Sequence, residues 1–161
     1  MRKAACVITD ANSLSEDLMD LLLQADPSKE RIESYFKAGR CRIAHFEEQL
    51  VGTYVLILGI NETEHEGLTA EIVNISIAAK WQGRGFGKEL VIDAIELARA
   101  SKASIINVGT GNSSINQLGF YQKCGFRIIG IDFDFFTRNY SEPIIENGIA
   151  CRDLILLTMK L

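Results

Sequence analysis

Apolar residues in this chain alternate between runs of period two and stripes of helical period, and their order predicts the elements. Residues 2–9 read as a short strand, after which Leu14, Leu18, Leu21 and Leu22 recur on one helical face. Asp26-Pro27-Ser28 breaks that helix. Proline is tolerated at a first helical position, and Ile32, Tyr35 and Phe36 carry a second short helix that Gly39 ends. β-Branched and aromatic residues crowd residues 41–46 and 50–58, with polar Glu47-Glu48-Gln49 between them, which predicts a hairpin. Residues 61–67 form a polar, acidic turn. Residues 68–78 form a third strand whose apolar positions are Ile72, Val73, Ile75 and Ile77.

Beyond a glycine-rich stretch, Leu90, Val91, Ala94, Leu97 and Ala98 make an apolar stripe, with Glu89, Asp93 and Glu96 on the opposite face of an amphipathic helix. Residues 103–108 are almost continuously apolar, as in a buried strand, and residues 114–124 carry a helix that stops at Gly125. Residues 126–131 and 152–161 read as the last strands, joined by a long aromatic and acidic connection over residues 132–148. The order is that of a mixed α/β fold without internal repeats.

A length of 161 residues with 47% hydrophobic content suits a single domain spanning 1–161. Lys and Arg number 17 against 21 Asp and Glu, a net charge of −4 with no basic run, which argues against a nucleic-acid partner. Thr9, Asp10 and Asn12 cut short the apolar start, and no segment approaches a membrane span, so a cytoplasmic protein is expected. Cys6, Cys41, Cys124 and Cys151 are far apart, and with only His45 and His65 to join them no metal site is expected. They read as small buried hydrophobes in a reducing compartment.

Gly83, Gly85 and Gly87 lie where a strand opens into a helix. That junction turns backbone N–H groups toward one point and attracts anions, with Gln82, Arg84 and Lys88 as further donors. The glycines alone are equally consistent with a simple chain reversal. They fit neither the phosphate loop ending in G-K-[ST] nor the dinucleotide fingerprint.

Gln82-Gly83-Arg84-Gly85-Phe86-Gly87 resembles the [RQ]-x-x-G-x-[GA] signature of the GNAT acetyltransferase superfamily, and Phe120-Tyr121-Gln122-Lys123-Cys124-Gly125-Phe126 resembles its second motif, F-Y-x-x-x-G-F. The strand order is similar to that family's over nearly the whole chain. Two positions depart from it: Ala79 replaces a proline common before the loop, and Ser114 stands where an asparagine is expected, between Asn112 and Asn116. The resemblance implies a mostly antiparallel sheet flanked by helices and acetyl-CoA as acetyl donor. It implies coenzyme contacts from residues 82–88, from one or more of Asn112, Ser114 and Asn116, and from the backbone of Ile75, Ser76, Ile77 and Ala78, where the strand splays from its neighbour.

Acetyl transfer to an amine needs a neutral nucleophile, support for an oxyanion and a proton for the departing thiolate. Tyr121, with an ordinary pKa of about 10, keeps its proton at neutral pH and can supply it; the same residue also reads as a core tyrosine. Glu71 stands where several members of the superfamily place a general base, and reads as well as an exposed strand carboxylate. Asn74 and Ser76, on the other face of a regular strand, can orient a water, and a bulge would change which residues share a face. Asp132, Asp134, Glu142 and Glu146 among Phe133, Phe135, Phe136 and Tyr140 suit a cationic acceptor, or else make a strand with one buried face. A small-molecule amine, a peptide amino group, a non-catalytic acyl-CoA-binding module and a homodimer are all compatible with the sequence.

Overall fold

The computed structural model describes residues 5–60 and 67–161. Most of the acidic turn predicted over 61–67 therefore lies outside the described residues, as does the start of the first strand. That strand, β1 (Val7–Asp10), is shorter than expected. Helix α1 (Glu16–Leu23) starts at Ser15, whose Oγ accepts the Leu18 N–H at 3.3 Å, so Leu14 precedes the helix. Helix α2 (Lys29–Ala38) is capped by Ser28, which accepts the Arg31 N–H, and Pro27 falls outside the helix instead of at its first position.

Strands β2 (Arg40–Phe46) and β3 (Gln49–Ile60) form the predicted hairpin. Its turn is Glu47-Glu48 alone, at φ 49° and 62°, the left-handed pair that a two-residue hairpin requires. Strand β4 (Leu68–Ile77) runs through a 3₁₀ turn (Ala79–Trp81) into α3 (Phe86–Ala100). Strand β5 (Ile105–Gly111), α4 (Ile115–Lys123) and β6 (Arg127–Asp132) follow. The long connection folds into α5 (Phe135–Asn139) and the small β7 (Ile145–Glu146) and β8 (Ile149–Ala150) pair before β9 (Leu154–Lys160).

The sheet has seven strands in the order β1-β2-β3-β4-β5-β9-β6, antiparallel except between β4 and β5. This is the mixed, mostly antiparallel architecture that the resemblance implies. One face packs under α3, where Leu90, Val91, Ala94 and Ala98 meet Tyr54, Leu56, Ala70, Ile72 and Ile106. The other carries α1 and α2, where Leu18, Leu22, Ile32 and Tyr35 meet Cys41 and Val55. Because both faces are covered, β3 is buried continuously from Val51 to Leu56.

The polar face expected of α3 is only partly solvated. Asp93 accepts from the hydroxyl of fully buried Tyr54 at 2.5 Å and from Arg42, and Glu89 accepts from the Cys6 backbone and thiol. The four cysteines are unpaired; Cys41 and Cys151 are buried, while Cys6 and Cys124 are half-buried, less enclosed than expected. Among the described residues no cluster of three or more metal-binding side chains occurs, and no helix is long and apolar enough to cross a membrane.

Candidate active site

Two irregularities in β4 build the site. The first is a bulge: Val55 pairs with Asn74 but Leu56 with Ile72, so Val73 is an extra residue. Ala70, Ile72, Ile75 and Ile77 consequently all pack toward α3. Val73 joins the cluster under α1 and α2, and Asn74 donates to Leu22 O at 3.0 Å and Tyr35 Oη at 2.7 Å on that same side. Glu71, alternating with Ala70 and Ile72, therefore shares its face with Asn74 and Ser76, which regular alternation would forbid.

The second is a parting of strands. β4 and β5 pair only from Thr69↔Ile105 to Ile72↔Val108, after which β4 continues on β3 and β5 on β9. Between the diverging ends lies a cavity of about 650 Å³, walled by residues 71–77 of β4, residues 108–111 of β5, Tyr121, the α1–α2 turn and residues of the 132–148 connection. Ile75, Ser76 and Ile77 pair with β3 on one edge, and on the edge toward this gap their backbone has no strand partner.

At one end stands the glycine loop. Gly83 and Gly85 have φ of 75° and 93°, and Gly85 is the N-cap of α3. Glu89 N–H finds Gly85 O, whereas the N–H groups of residues 83–88 donate to no described residue. This is the unfilled donor set at which an anion binds. Trp81, packed edge-on against Phe46 and Phe86, anchors the loop from beneath, and the Arg84 guanidinium lies 4.7 Å above its ring. Phe86 thus turns its ring into the core and offers the loop only its N–H. Gln82 caps the end of β4 instead, donating to Ile77 O at 3.0 Å, and Arg84 and Lys88 are exposed. A Cβ at Gly87 would meet the Phe120 ring at 3.5 Å and Ile77 at 3.8 Å, ordinary van der Waals distances.

Tyr121 is held by the end of its own helix. Gly125 at φ 102° allows Phe126 N–H to reach Tyr121 O at 3.1 Å and Gly125 N–H to reach Gln122 O at 3.0 Å, and the Phe126 ring packs edge-on against Tyr121 at 6.0 Å. These are the two reverse bonds and the apolar contact of a Schellman closure, which is the physical content of the tyrosine-to-glycine-phenylalanine spacing. Tyr121 is 4% exposed and its hydroxyl has no hydrogen-bond partner among the described residues. Burial, reinforced by Cys124, pushes its pKa well above the usual phenol range. Glu71 is reached by solvent through the cavity yet walled by protein. That enclosure raises its pKa, against a smaller opposing influence from the Arg31 charge.

The other predicted positions separate. Ser114 lines the cavity and donates to Glu146 Oε2 at 2.9 Å. Asn112 is occupied elsewhere: its Oδ1 accepts from Arg152 and Asp153 N–H and its Nδ2 donates to Ala150 O, tying β5 to the strand start at β9. Asn116 is exposed at the start of α4. Of the residues expected around the acceptor, Phe135, Phe136, Tyr140 and Glu146 line the cavity, while Asp132 pairs with Arg138 and Asp134 with Arg152. Phe133 is 66% exposed, and the segment folds into α5, turns and the two-residue β7, not one alternating strand. Asp26, in the α1–α2 turn, and Arg31, in the first turn of α2, both unforeseen from sequence, complete the wall. Buried Asp26 accepts from Tyr140 Oη at 2.9 Å, and Arg31 Nε contacts Asp26 at 3.4 Å. Burial and the neighbouring Asp26 push the Tyr140 phenol up to about 12.

Similarity to known proteins agrees with this geometry. The acetyltransferase (GNAT) family model matches residues 11–126. A Bacillus subtilis (strain 168) protein described as the uncharacterized N-acetyltransferase YvbK is 51% identical over 147 residues, 91% of each chain. A B. subtilis acetyltransferase solved in complex with CoA superposes with a TM-score of 0.89 at 48% identity, covering 98% of this chain and 99% of its own. A GNAT acetyltransferase from Elizabethkingia anophelis with acetyl-CoA bound gives 0.88 at 44%, covering 97% and 98%. The two motifs, the parted strands and these relatives agree: the chain belongs to the GNAT family and is an acetyl-CoA-dependent N-acetyltransferase.

Proposed function

We propose that the chain, acting as one acetyltransferase domain over residues 1–161, transfers acetyl directly to the primary amine of a small molecule bound together with acetyl-CoA. The observation that carries the reading is the single cavity at the β4–β5 parting, which has Glu71 on one wall and Tyr121 on another. The free N–H groups of residues 83–88 suit the coenzyme's pyrophosphate, and the unpaired edge of β4 at residues 75–77 suits its pantetheine arm and the thioester carbonyl. The segment from α5 to β7 roofs the acceptor side, which favours a compact acceptor over an extended peptide.

In this scheme Glu71 takes a proton from the acceptor ammonium, directly or through a water held near Asn74 and Ser76, and passes it to solvent. Nitrogen attacks the thioester carbon, the carbon–sulfur bond breaks, and Tyr121 gives its proton to the departing sulfur. The second proton shed by the new amide nitrogen restores Tyr121. The raised pKa of Tyr121 keeps that proton available across the neutral range. The test is a panel of small amines, polyamines, aminoglycosides and peptides assayed for acetyl-CoA-dependent thiol release. Turnover confined to peptides would reject the small-molecule acceptor, and coenzyme binding without any turnover would favour a binding module.

A further inference from the structure

Four charged side chains wall the acceptor half of the cavity: Asp26, Arg31, Glu71 and Glu146. Two are already engaged. Asp26 Oδ1 accepts from Ser28 N–H at 3.0 Å and Tyr140 Oη at 2.9 Å, and Glu146 accepts from Ser114 at 2.9 Å. The other two have capacity to spare. Glu71 makes no hydrogen bond among the described residues. Arg31 uses only its Nε, in the long contact to Asp26, and neither Nη has a partner among the described residues. Its guanidinium carbon lies 5.7 Å from the Phe135 ring centroid and 5.6 Å from that of Tyr140, so the head group is positioned without consuming those donors.

An amine with no other charge would satisfy Glu71 but offer no acceptor to the two Nη groups of Arg31, whose Nε alone reaches Asp26. A ligand bearing an amine and a carboxylate satisfies both, since a carboxylate accepts two parallel bonds from an arginine fork. We propose that the acceptor is a free amino acid with an apolar or aromatic side chain. Its amine is presented to Glu71, its carboxylate to Arg31, and its body to the wall formed by Phe135 and the stacked Phe136–Tyr140 pair, centroids 5.8 Å apart. The inference rests on the acetyl-transfer reading above. A peptide amino terminus fits it poorly, because the neighbouring carboxylate has become a neutral amide.

The experiment compares L-phenylalanine, L-phenylalaninamide, 2-phenylethylamine and a tripeptide beginning with phenylalanine, together with the leucine counterparts. Thiol release is measured at saturating acetyl-CoA for the wild-type protein, Arg31→Gln and Arg31→Lys, with thermal melts confirming that each variant folds. The acids should be the better acceptors. In Arg31→Gln the preference for acid over matched amine, as a ratio of kcat/KM, should fall roughly 10- to 100-fold, the range set by a charge-assisted hydrogen bond. The loss should appear in KM, and Arg31→Lys should recover part of it. Amines, amides or peptides used as well as the acids, or a preference indifferent to Arg31→Gln, overturn this inference and leave acetyl transfer intact. Binding of acetyl-CoA by calorimetry with no acceptor acetylated overturns both.

Discussion

Tyr121→Phe separates a proton donor from a packing residue, because the ring contacts survive the change and only the donor role predicts a loss of turnover. The substitution removes one oxygen from a ring that is 4% exposed and keeps the contacts to Phe120 and Phe126, at centroid distances of 5.3 and 6.0 Å. The hydroxyl gives up no hydrogen bond among the described residues, so its loss removes an incompletely solvated polar group. The expected change in unfolding free energy is between roughly zero and +1 kcal/mol in favour of phenylalanine. Catalysis should move the other way. Loss of a positioned acid lowers kcat by about 10²- to 10⁴-fold, equivalent to about 3–5 kcal/mol of barrier. Steady-state thiol release at saturating acetyl-CoA gives the loss in kcat, and urea unfolding gives the change in stability. Linkage supplies a further check. The folded pKa of Tyr121 lies above its ordinary value, so its contribution is intact below pH about 10 and is lost as pH rises through the raised value. The phenylalanine variant should lack that alkaline loss. A kcat within threefold of wild type would refute the acid role, and destabilisation by more than about 1 kcal/mol would refute the unpartnered hydroxyl.

Three further outcomes follow from the same structure. Glu71 also has a raised pKa, so its contribution to stability is present below the ordinary carboxylate range and lost as pH rises through the raised value. Glu71→Gln should therefore be more stable than wild type at neutral pH in urea titrations, while losing the acidic limb of the kcat/KM profile and about 10²-fold or more in rate. Gly85→Ala forces a methyl-bearing residue to φ 93°, at a cost of about 1–2 kcal/mol, and should weaken acetyl-CoA binding roughly 5- to 30-fold by calorimetry as the donor loop relaxes away from that geometry. Replacing Glu47-Glu48 by Asn-Gly relieves two left-handed glutamates and should raise unfolding free energy by about 1 kcal/mol without changing kcat.

The parts of the fold that the sequence discloses are those set by nearby residues. The stripe of Leu90, Val91, Ala94 and Ala98 specifies a helix because its period is local, and Gly125 marks the end of α4 because a left-handed residue is needed at that position. The acceptor wall has no such local signature. Asp26 looks like part of a helix-breaking turn, and only the fold brings Tyr140 to it across 114 residues of chain. Asp132 and Asp134 look available for a ligand until Arg138 and Arg152 are seen beside them, and Asp93 looks like a solvated helix residue until Tyr54 and Arg42 are found on it. Misreadings of this kind share one cause. A charge pattern shows which residues can pair, whereas tertiary contacts decide which already have.

The bulge at Val73 carries this argument furthest, because one unpaired residue changes the meaning of the whole strand. Under strict alternation Glu71 would face away from Asn74 and Ser76, and the proposed base would be separated from the groups that can order its water. With the extra residue, Ile72, Ile75 and Ile77 keep their places under α3 while Glu71, Asn74 and Ser76 come to one face. The last pair between β4 and β5, Ile72↔Val108, falls immediately before the bulge, so the change of face and the parting of the strands occur at the same point. A bulged strand bends and twists more strongly, which is what diverging from a parallel neighbour requires. The same irregularity therefore accounts both for the gap that admits a thioester and for the carboxylate that faces it.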